Sequence, residues 1–587
     1  MLRRWNAGLI AGYGRGANGN NAPIQQMGIG ACTGPALHLI QTFIVDVIFD
    51  PQSAKHMPDT STPTQSPDQS PAEDLHKLEL QRRENRDAVA KLGALPYGRR
   101  VDGIMPLADA IGRFDEHADE HHKAHAKDED FVDQRPVVRV AGRIVLHRDN
   151  GKLIWLNLRD DTGDLQVAVS QRDCILEGPV GVGGFDAAKQ MDLGDVVVCE
   201  GPLVRTRTGE ITVWASTLAP ASKCLVPPPE KHAGLQDMDT RYRQRYLDMW
   251  ATPETMRVFR MRSKIVSAVR SFMDSREYAE VETPMLQAMA GGAAARPFTT
   301  HINALDMPLY MRIAPELYLK RLLVGGMKRV YEINRNFRNE GVDKQHNPEF
   351  TMMECYEAFG DYTTMMDLSE SLMRELARMI LGAGADETDL KLPFGDHEVD
   401  YGSPFDRVTY AELFERALGF SMNDEAKVRA EATKRNIAQK NEKGEPIDIV
   451  LIINELFEDV AEPTLNPAKP TFITEYPAAI SPLTRPNPDR PDVADRADLF
   501  IGHMEIGPMY TELNDPDVQA EKFRAQLSGI DDEEQTFRNF DHDFIRALKI
   551  GMPPAGGLGL GIDRIAMLLT NQRSIRDVIL FPLLRPE

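Results

Sequence analysis

The chain has 587 residues, which is too long for a single domain and indicates three or more. Its hydrophobic content of 42% and charged content of 27% are typical of a globular protein. Its net charge of −21 argues against a protein dedicated to nonspecific nucleic-acid binding. A local basic surface is still compatible with this net charge. The five cysteines form no CxxC pair, which indicates a reducing compartment and offers no metal site.

The first 56 residues form an extension of uncertain status. Residues 1–21 contain three arginines and no acidic residue, which is typical of transit-type leaders. A start codon placed too far upstream, with Met57 as the true start, is the favoured explanation. The apolar run 36–49 is too short and too polar to span a bilayer. Residues 57–75 are rich in Ser, Thr, Pro and Gln, which predicts disorder.

Residues 76–135 are expected to form an N-terminal helical segment. Helical spacing of apolar residues predicts one helix over 72–92, and a highly charged run predicts a second over 107–126. The second run contains four histidines, and the i, i+4 spacing of His121 and His125 could bind a metal. A solvated helix face is favoured, because acidic residues surround these histidines and no companion ligand set is present.

Five short β-branched strands between residues 136 and 222 predict a small closed barrel, for which an OB-fold is the obvious candidate. Such barrels bind single-stranded nucleic acids by stacking bases on exposed aromatic side chains. Trp155 lies in the middle of the second strand and could be such a platform or a core residue. A run of prolines then indicates a linker, assigned to residues 223–248, and residues 249–587 are assigned to a further domain.

An alternating pattern from Tyr331 to Tyr356 predicts an antiparallel hairpin with an unusually polar face. Residues 332, 334, 336, 338 and 340 share this face with residues 350, 352, 354 and 356. A solvated face of an edge hairpin is one interpretation. The other is the floor of a ligand site, with Arg338 for a phosphate and Phe350 for a planar ring. The pattern alone leaves the two about even.

The elements around this hairpin are predicted from periodicity. Apolar residues at helical spacing indicate a helix over 256–278, and a strand over 279–286 follows it. Another helix is predicted over 367–381. Residues 382–468 are expected to be an irregular insert that contains one helix, over 449–461.

Two acidic residues near the end of the chain are candidate metal ligands. Glu505 and Glu512 are seven residues apart, and Gly507-Pro508 must interrupt the strand between them. The two carboxylates could therefore converge and bind Mg²⁺ carried by a nucleotide, because hard oxygen ligands suit that ion. Two solvent-facing acids are the alternative.

The last candidate element is a glycine-rich strand that enters a helix, GGLGLGIDRIAMLLT. Gly559 and Gly561 would let the backbone approach a flat ring or a sugar closely. Arg564 lies at the start of the helix, where an anionic phosphate is favoured.

These motifs together resemble a known enzyme class. FRNEG, HNPEF and TMME in the hairpin, with GLGLGIDR downstream, resemble motifs 2 and 3 of the class II aminoacyl-tRNA synthetases, and their wording is similar to the lysyl-tRNA synthetase family. The helix over 256–278 and the strand after it resemble motif 1. The resemblance runs from about Val137 to Arg585. It implies an α+β protein, in which an antiparallel sheet flanked by helices forms a class II catalytic domain preceded by an OB-fold anticodon-binding barrel.

The resemblance implies a lysine–tRNA ligase. Such an enzyme activates L-lysine with ATP to lysyl-adenylate, releases pyrophosphate, and transfers lysine to the 3′ end of tRNA(Lys). It further implies Mg²⁺ as cofactor and a cytoplasmic homodimer joined through the motif 1 region, with no membrane association. The chain departs from the family where Trp155 replaces the usual Phe and Pro508-Met509 replaces the usual Asn-Gly.

The resemblance also implies roles for individual residues, with Arg338 and Arg564 as the catalytic pair. The ATP-binding residues would be Arg338, Glu340, His346, Phe350, Gly559, Gly561 and Arg564. The lysine-binding residues would be Gly292, Glu316, Glu354, Tyr356 and Asn514. The anticodon-binding residues would be Arg148, Trp155, Gln166 and Glu210. The Mg²⁺ ligands would be Glu505 and Glu512.

Two alternative functions fit these residues less well. An aspartyl- or asparaginyl-type enzyme of the same fold would need an additional arginine or polar donor for its substrate, and the acidic pair Glu316 and Glu354 argues against it. A paralogue that does not charge tRNA would have no use for a complete barrel with Trp155.

Overall fold

The computed structural model describes residues 77–128, 130–178, 181–226, 235, 237–293, 295–441, 444–527 and 540–586. The predicted extension (1–56) and the predicted disordered segment (57–75) lie outside the described residues. The described part is an α+β protein, in which a closed β-barrel precedes a larger, mostly antiparallel sheet flanked by helices. The predicted fold class is therefore confirmed.

The N-terminal segment is helical, as predicted, but its second part is divided. Its helices are α1 (Lys77–Lys91), α2 (Leu107–Gly112) and α3 (Glu116–His125). The single helix predicted over 107–126 is wrong because Asp115 caps a new helix, and its carboxylate accepts a hydrogen bond from the Ala118 N–H at 3.1 Å. Buried Arg82 of α1 donates to the Leu193 carbonyl at 2.9 Å and so ties this segment to the barrel.

The histidines of α3 have local acidic partners. His125 Nδ1 lies 2.9 Å from a carboxylate oxygen of Asp128, and His122 Nδ1 lies 3.6 Å from one of Asp133. Across the described residues, no group of three His, Cys, Asp or Glu side chains is arranged to hold a metal ion. In the same part of the chain, no helix combines the length and the apolarity needed to cross a membrane.

The barrel contains the five predicted strands and two short additions. Its strands are β1 (Val137–Asp149), β2 (Leu153–Arg159), β3 (Asp164–Ser170), β4 (Ile175–Leu176), β5 (Val196–Arg205), β6 (Ile211–Ala215) and β7 (Thr217–Ser222), with a short helix α4 (Gly184–Lys189) between β4 and β5. Pairing of β1 with β5 closes the barrel. Ile154, Leu156 and Leu158 of β2 are fully buried in its core, whereas Trp155 is half-buried on the opposite, outer face.

Helices cover the sheet of the C-terminal domain. They are α5 (Met238–Arg243), α6 (Arg245–Ala251), α7 (Pro253–Asp274), α8 (Glu316–Val324), α9 (Tyr362–Leu381), α10 (Tyr410–Leu418), α11 (Glu425–Lys434), α12 (Ile449–Leu456), α13 (Pro516–Leu527), α14 (His542–Gly551) and α15 (Ile562–Leu569). The second half of the predicted linker is folded onto this domain. Buried Arg245 donates to the Arg576 carbonyl at 2.7 Å and the Leu580 carbonyl at 3.1 Å.

The large sheet of this domain has eight strands in the order β16-β17-β18-β19-β20-β13-β12-β8. The strands of this domain, including two small accessory sheets, are β8 (Ala279–Glu280), β9 (Leu286–Gln287), β10 (Thr299–Ile302), β11 (Met307–Met311), β12 (Arg329–Phe337), β13 (Glu349–Ala358), β14 (Lys391–Phe394), β15 (His397–Asp400), β16 (Asp406–Thr409), β17 (Thr471–Thr474), β18 (Arg496–Ile501), β19 (Met504–Thr511) and β20 (Ala555–Gly561). Only the two outermost pairs, β16–β17 and β8–β12, are parallel.

The predicted hairpin forms β12 and β13, and its alternation is confirmed. Glu332 faces Glu354 and Asn336 faces Phe350 across the pair, so the polar side chains and the Phe350 ring share one face. The opposite face buries apolar side chains such as Tyr331, which belongs to the main hydrophobic core of the domain. One face of the hairpin therefore builds the core, and the other is left for a site.

Two predicted elements of this domain differ from the structure. The strand predicted over 279–286 is reduced to β8 and β9, because Pro284 cannot donate a ladder hydrogen bond. The predicted irregular insert over 382–468 is ordered: it adds β16 to the sheet and packs α10, α11 and α12 around their own core. Thr409 and Glu412 form the capping box at the start of α10, and this sequence pattern could have predicted the helix.

Candidate active site

A cavity of about 560 Å³ opens on the polar face of the central strands. Its lining comes mainly from residues 338–347, which follow β12, from β13, β19 and β20, and from the starts of α8 and α15. Most of the predicted site residues line it: Gly292, Glu316, Arg338, Glu340, His346, Phe350, Glu354, Tyr356, Glu505, Gly559, Gly561 and Arg564. Residues far apart in sequence thus converge on one site.

The glycines of β20 leave the floor of this cavity as bare backbone. Register pairs Gly557 with Tyr356, Gly559 with Glu354, and Gly561 with Met352, so alternate glycines share the face of the acidic side chains. A Cβ on Gly559 would lie 3.1 Å from the Met352 side chain, and one on Gly557 would collide with the Glu512 carboxylate. The GxGxG pattern therefore leaves room for neighbouring side chains as well as for a ligand.

Arginines concentrate at one end of the cavity. The Arg338 guanidinium lies 5.1 Å from the centre of the Phe350 ring, and its buried Nε atom has no hydrogen-bond partner among the described residues. Arg564 donates to the Glu505 carbonyl and lies 3.1 Å from His346 Nε2. This end therefore combines two guanidinium groups with an aromatic surface, which suits phosphates and a planar base.

Hydrogen bonding orients the ring of His346. Its Nδ1 atom lies 2.8 Å from a carboxylate oxygen of Asp343, and its Nε2 atom faces Arg564. A ring that donates from Nδ1 can accept from arginine at Nε2, so one neutral tautomer satisfies both contacts. His346 thereby fixes the direction in which the Arg564 fork points.

The two predicted metal ligands have different surroundings. Glu505 lines the cavity. Burial raises the pKa of its carboxyl group, and repulsion from the neighbouring Asp498 raises this pKa further. Glu512 is outside the cavity lining and forms an ion pair with Lys320, a fully buried residue. Asp498, rather than Glu512, is the carboxylate next to Glu505, and its partner Arg496 forms a two-contact ion pair with it at 2.6 and 2.9 Å.

Carboxylates converge at the other end of the cavity. Glu354 and Tyr356 are almost fully buried on β13, and the Tyr356 hydroxyl donates to Glu354 at 3.2 Å. Burial, followed by repulsion from Glu316, raises the pKa of Glu354 to about 8. Burial and the negative charges of Glu316, Glu354 and Glu512 raise the pKa of Tyr356, so all three acids surround this hydroxyl. This end suits a cationic ligand.

Some polar residues near the cavity have structural partners instead. Glu332 is buried against Arg312 at 2.6 Å and accepts from the Thr283 hydroxyl at 2.7 Å. Asn514, predicted to bind lysine, is outside the cavity lining and donates to the Met552 carbonyl at 3.2 Å. Neither Glu332 nor Asn514 is directed to the ligand space in this conformation.

One ion pair connects the three sequence motifs. Asp563, at the start of α15, contacts Arg262 of α7 at 2.5 Å and accepts from the Thr351 N–H of β13 at 2.7 Å. The motif 1 helix, the hairpin and the glycine-rich strand are thereby held in one arrangement. This places Arg338 and Arg564 on a rigid frame.

Three of the four predicted anticodon residues, Arg148, Trp155 and Gln166, lie on the outer face of the barrel. Arg148 is exposed and lies opposite Trp155, and the Thr212 hydroxyl donates to Gln166 at 2.9 Å. Trp155 and Trp214 both neighbour Ala168, in adjacent strands of the same face. Sequence reasoning missed Trp214, although its place between buried Val213 and Ala215 in β6 is the same alternation that singled out Trp155.

Glu210, the fourth predicted anticodon residue, ends the turn before β6, and its N–H donates to the Thr206 hydroxyl at 3.1 Å. Sequence reasoning also missed Lys320, Asp498 and Arg496 in the catalytic domain. Lys320 follows Glu316 by four residues, a spacing that places both on one helix face. Arg496 and Asp498 share one face of a strand for the same reason of periodicity.

Known proteins share both domains. The family of class II tRNA synthetases (D, K and N) matches residues 237–585, and the OB-fold nucleic acid binding domain matches residues 138–220. The first match covers more than half of the chain and includes the whole cavity. The chain belongs to the class II tRNA synthetase family.

Within that class, the chain is similar to curated lysine–tRNA ligases. It is 45% identical over 476 residues to the heat-inducible lysine–tRNA ligase of Escherichia coli (strain K12), an alignment that covers 80% of this chain and 90% of that protein. Identity to the lysine–tRNA ligase of Actinobacillus succinogenes is 44% over 522 residues, covering 87% and 98%. Identity to that of Carboxydothermus hydrogenoformans is 42% over 519 residues, covering 88% and 99%.

Proposed function

We propose that this chain is a lysine–tRNA ligase that forms lysyl-adenylate in the cavity and transfers lysine to tRNA(Lys). The observation that carries the assignment is the charge separation along the cavity. Arg338 and Arg564 lie at one end, where ATP would be bound, and the buried Glu316 and Glu354 lie at the other. The second end accepts ammonium groups, and L-lysine carries two.

The first step needs positioning and charge stabilisation more than acid–base chemistry. The lysine carboxylate is already ionised, so its oxygen can attack the α-phosphorus of ATP while the bond to the β-phosphate oxygen breaks and pyrophosphate leaves. Arg338 would contact both the α-phosphate and the carboxylate, work for which a planar guanidinium is suited. Phe350 would stack on adenine, and Arg564, oriented by His346, would hold the γ-phosphate.

The second step transfers the amino acid. A hydroxyl at the 3′ end of tRNA(Lys) attacks the carbonyl carbon of the adenylate, the bond to the phosphate oxygen breaks, and AMP leaves. The barrel would hold the anticodon through Trp155 and the neighbouring polar groups, since stacking on aromatic side chains is the usual way in which such barrels bind single strands. Arg148 would contribute a positive charge at the edge of that surface.

The carboxylates beside the arginine end fit a magnesium ion. Glu505 is a hard oxygen donor on the cavity wall, and Asp498 is its carboxylate neighbour; burial together with repulsion from Asp498 raises the pKa of Glu505, and a divalent cation would relieve that repulsion. Mg²⁺ bound there with nucleotide phosphates and water would neutralise charge on the departing pyrophosphate. For Glu512 to serve as a ligand, its ion pair with Lys320 would have to open.

The protein is further proposed to act as a homodimer in the cytoplasm. The motif 1 helix α7 is amphipathic, with Ile265 and Val269 buried on one side and Lys264 and Ser271 exposed on the other. The outermost strand β8 pairs only through one edge with β12. A second copy could cover this region, and sedimentation velocity would measure whether the mass is twice that of one chain.

The test of the main proposal is ATP–pyrophosphate exchange with each of the twenty amino acids. Exchange should depend on lysine, with the other nineteen at least about 100-fold less efficient, because a buried carboxylate left without its ammonium partner disfavours neutral substrates. Charging of tRNA(Lys) but not tRNA(Asp) should follow. Efficient exchange with aspartate or asparagine, or lysine exchange without any tRNA charging, would contradict the proposal.

A further inference from the structure

One aspartate in the loop between β12 and β13 contacts both the loop backbone and a side chain of the cavity. Asp343 Oδ1 accepts hydrogen bonds from the N–H groups of Gln345 at 2.6 Å and His346 at 2.8 Å. The other oxygen, Oδ2, lies 2.8 Å from His346 Nδ1. The two oxygens of this carboxylate therefore have different partners: one shapes the loop, and the other contacts the imidazole ring.

The contacts continue from His346 to Arg564 at the start of α15. The Nη1 atom of Arg564 donates to the Glu505 carbonyl, and its Nη2 atom lies 3.1 Å from His346 Nε2. Each terminal nitrogen of the guanidinium is thus held by a different acceptor. Each also carries a second N–H, so a guanidinium fixed in this way can still donate to a phosphate oxygen.

We propose that Asp343 is a positioning residue for ATP: by accepting from Nδ1–H, it selects the His346 tautomer whose Nε2 accepts from Arg564, and so fixes the guanidinium for the γ-phosphate. This inference deepens the proposed ATP-dependent function and rests on it. An imidazole protonated at Nε2 would instead present a donor to arginine, which has no acceptor. Asp343 acts through His346 and not on the nucleotide directly.

The charges and contacts around this carboxylate support its role as an acceptor. Partial burial raises the pKa of Asp343, but hydrogen bonds from the His346 ring and from the two backbone N–H groups outweigh burial, so the net direction is downward. Asp343 is therefore a carboxylate at neutral pH and has no proton to donate to Nδ1. The loop itself is held in place, because the Ile575 N–H donates to the Lys344 carbonyl at 2.8 Å.

The test is Asp343→Asn in the full-length enzyme, a change that keeps the loop contacts and reverses the polarity next to the ring. The amide oxygen can still accept from both backbone N–H groups, so the amide nitrogen takes the place of Oδ2. That nitrogen donates to Nδ1 and favours the tautomer protonated at Nε2. We expect the Kd for ATP to rise about fivefold or more, because a hydrogen bond that holds a charged group is lost.

AMP provides a comparison within the same protein, since it has no γ-phosphate. The Kd for AMP and the KM for lysine should each change less than about twofold in Asp343→Asn, because neither ligand reaches Arg564. Thermal melting should be unchanged, because the side chains of Asp343 and His346 are 60% and 57% exposed and their contact adds little to stability.

The matched control is Asp128→Asn. It makes the same change 2.9 Å from the Nδ1 atom of another histidine three residues away, His125, in helix α3. The Kd values for ATP and AMP should both stay at the wild-type level in this variant. A rise in either would show that loss of an aspartate beside a histidine affects nucleotide binding without any contact to Arg564.

A purely structural role for Asp343 in the loop predicts a different pattern. In a His346→Ala background, Asp343→Asn should change the Kd for ATP by less than about twofold if Asp343 acts through the imidazole. An equal rise in both backgrounds would overturn the inference. Wild-type ATP binding in Asp343→Asn would also overturn it, and so would an equal loss of affinity for ATP and AMP.

The outcomes separate this inference from the function on which it rests. Nucleotide binding is measured without an amino acid, so exchange with an amino acid other than lysine would contradict the proposed function, while the Kd values would still decide the role of Asp343. If the wild type depends on lysine and Asp343→Asn binds ATP like the wild type, only the role of Asp343 fails. A wild type that does not bind ATP would overturn both.

Discussion

Arg338 is the residue on which adenylate formation should depend most directly. It lies at the arginine end of the cavity against Phe350, and its buried Nε atom has no hydrogen-bond partner among the described residues. Arg338→Ala should lower pyrophosphate exchange by about 100-fold or more, because loss of one donor to a developing charge costs about 3 kcal/mol. Thermal melting should be unchanged.

The matched control is Arg335→Ala, since Arg335 lies three residues earlier, on β12, with its side chain 3.5 Å from Glu349 and on the opposite face. The pyrophosphate exchange rate of Arg335→Ala should stay within about twofold of wild type, because the loss of a surface ion pair usually has little effect. If the Arg338 variant is equally active, the arginine end of the cavity does not bind the α-phosphate.

Glu354 should make lysine binding depend on pH. Its pKa is raised to about 8, so at neutral pH the empty site holds a mostly protonated carboxyl, whereas the substrate ammonium needs a carboxylate. The KM for lysine should therefore fall by several-fold as pH rises from about 7 to 9. Glu354→Gln should raise the KM for lysine, remove this pH dependence, leave the KM for ATP unchanged, and narrow the preference for lysine over norleucine.

The same raised pKa affects stability with a definite sign. Between the ordinary pKa of a glutamate and about 8, the unfolded chain has released a proton that folded Glu354 keeps, so stability of the empty enzyme should decrease as pH rises through that window. Thermal melting at pH 6 and pH 8 should show a smaller difference for Glu354→Gln than for wild type. If melting changes equally between pH 6 and pH 8 in the two proteins, and if Glu354→Gln also leaves the preference for lysine over norleucine unchanged, then Glu354 does not face the substrate.

At the scale of elements, the barrel strands present two tryptophans to the solvent. Trp155→Ala should weaken tRNA charging by about 1–3 kcal/mol, the usual cost of one lost stacking contact, and should leave pyrophosphate exchange unchanged. Trp214→Ala should have a smaller effect in the same direction, because the Trp214 indole N–H is already held by Asp173 at 3.2 Å. An equal loss of exchange in either variant would indicate a damaged barrel rather than a lost base contact.

Strand β20 allows a second test of an element. A Cβ on Gly557 would collide with the Glu512 carboxylate and the Tyr356 ring, whereas a Cβ on Gly561 would make ordinary contacts at 3.6 Å with Arg564. Gly557→Ala should therefore raise the KM for lysine by about tenfold or more, with a smaller effect on the KM for ATP. Gly561→Ala should leave the KM for lysine within about twofold. If the two variants have the same KM for lysine, Gly557 and Gly561 do not differ in their effect on lysine binding, and the interpretation is contradicted.

Elements were predictable from the sequence where a period repeats over a long run. Alternation assigned both faces of the hairpin from Tyr331 to Tyr356 correctly, because a strand with one buried face has only one acceptable register. The insert over 382–468 was not predictable in this way, because its strands are only four residues long and one of them, β16, joins the sheet at its far edge. Periodicity over four residues carries little information, and non-local pairing decides the outcome.

Most of the site residues could also be predicted, from the resemblance to a known family rather than from periodicity. The resemblance supplied most of the lining residues, such as Arg338 and Glu354, and the structure brings them together. It did not reveal that Glu512 forms an ion pair with Lys320 while Asp498 neighbours Glu505. Strand β19 runs through Gly507-Pro508 without the predicted interruption, and a bulge in its pairing with β18, between Glu505 and Gly507, decides where two side chains seven residues apart point.

At the scale of the whole molecule, the strongly negative chain must bind a strongly negative tRNA. The net charge of −21 opposes association over long distances, so the attraction has to come from local cations such as exposed Arg148 beside Trp155. The barrel and the catalytic sheet have separate hydrophobic cores, so this surface can change without disturbing the cavity. Binding of tRNA and activation of lysine should therefore respond differently to salt.

Raising potassium chloride from about 50 to 200 mM should increase the KM for tRNA steeply while pyrophosphate exchange changes little, because released counterions weaken only the contacts to nucleic acid. Arg148→Ala should make the slope of log KM against log salt shallower by about 0.7, the value for one contact to single-stranded nucleic acid. Arg429→Ala, which removes an exposed charge paired with Glu425 in the insert, is the control and should leave the slope unchanged. If wild type and Arg148→Ala have equal slopes, the phosphate contacts lie elsewhere on the molecule. If salt strongly changes pyrophosphate exchange, it acts on the cavity and not on the barrel.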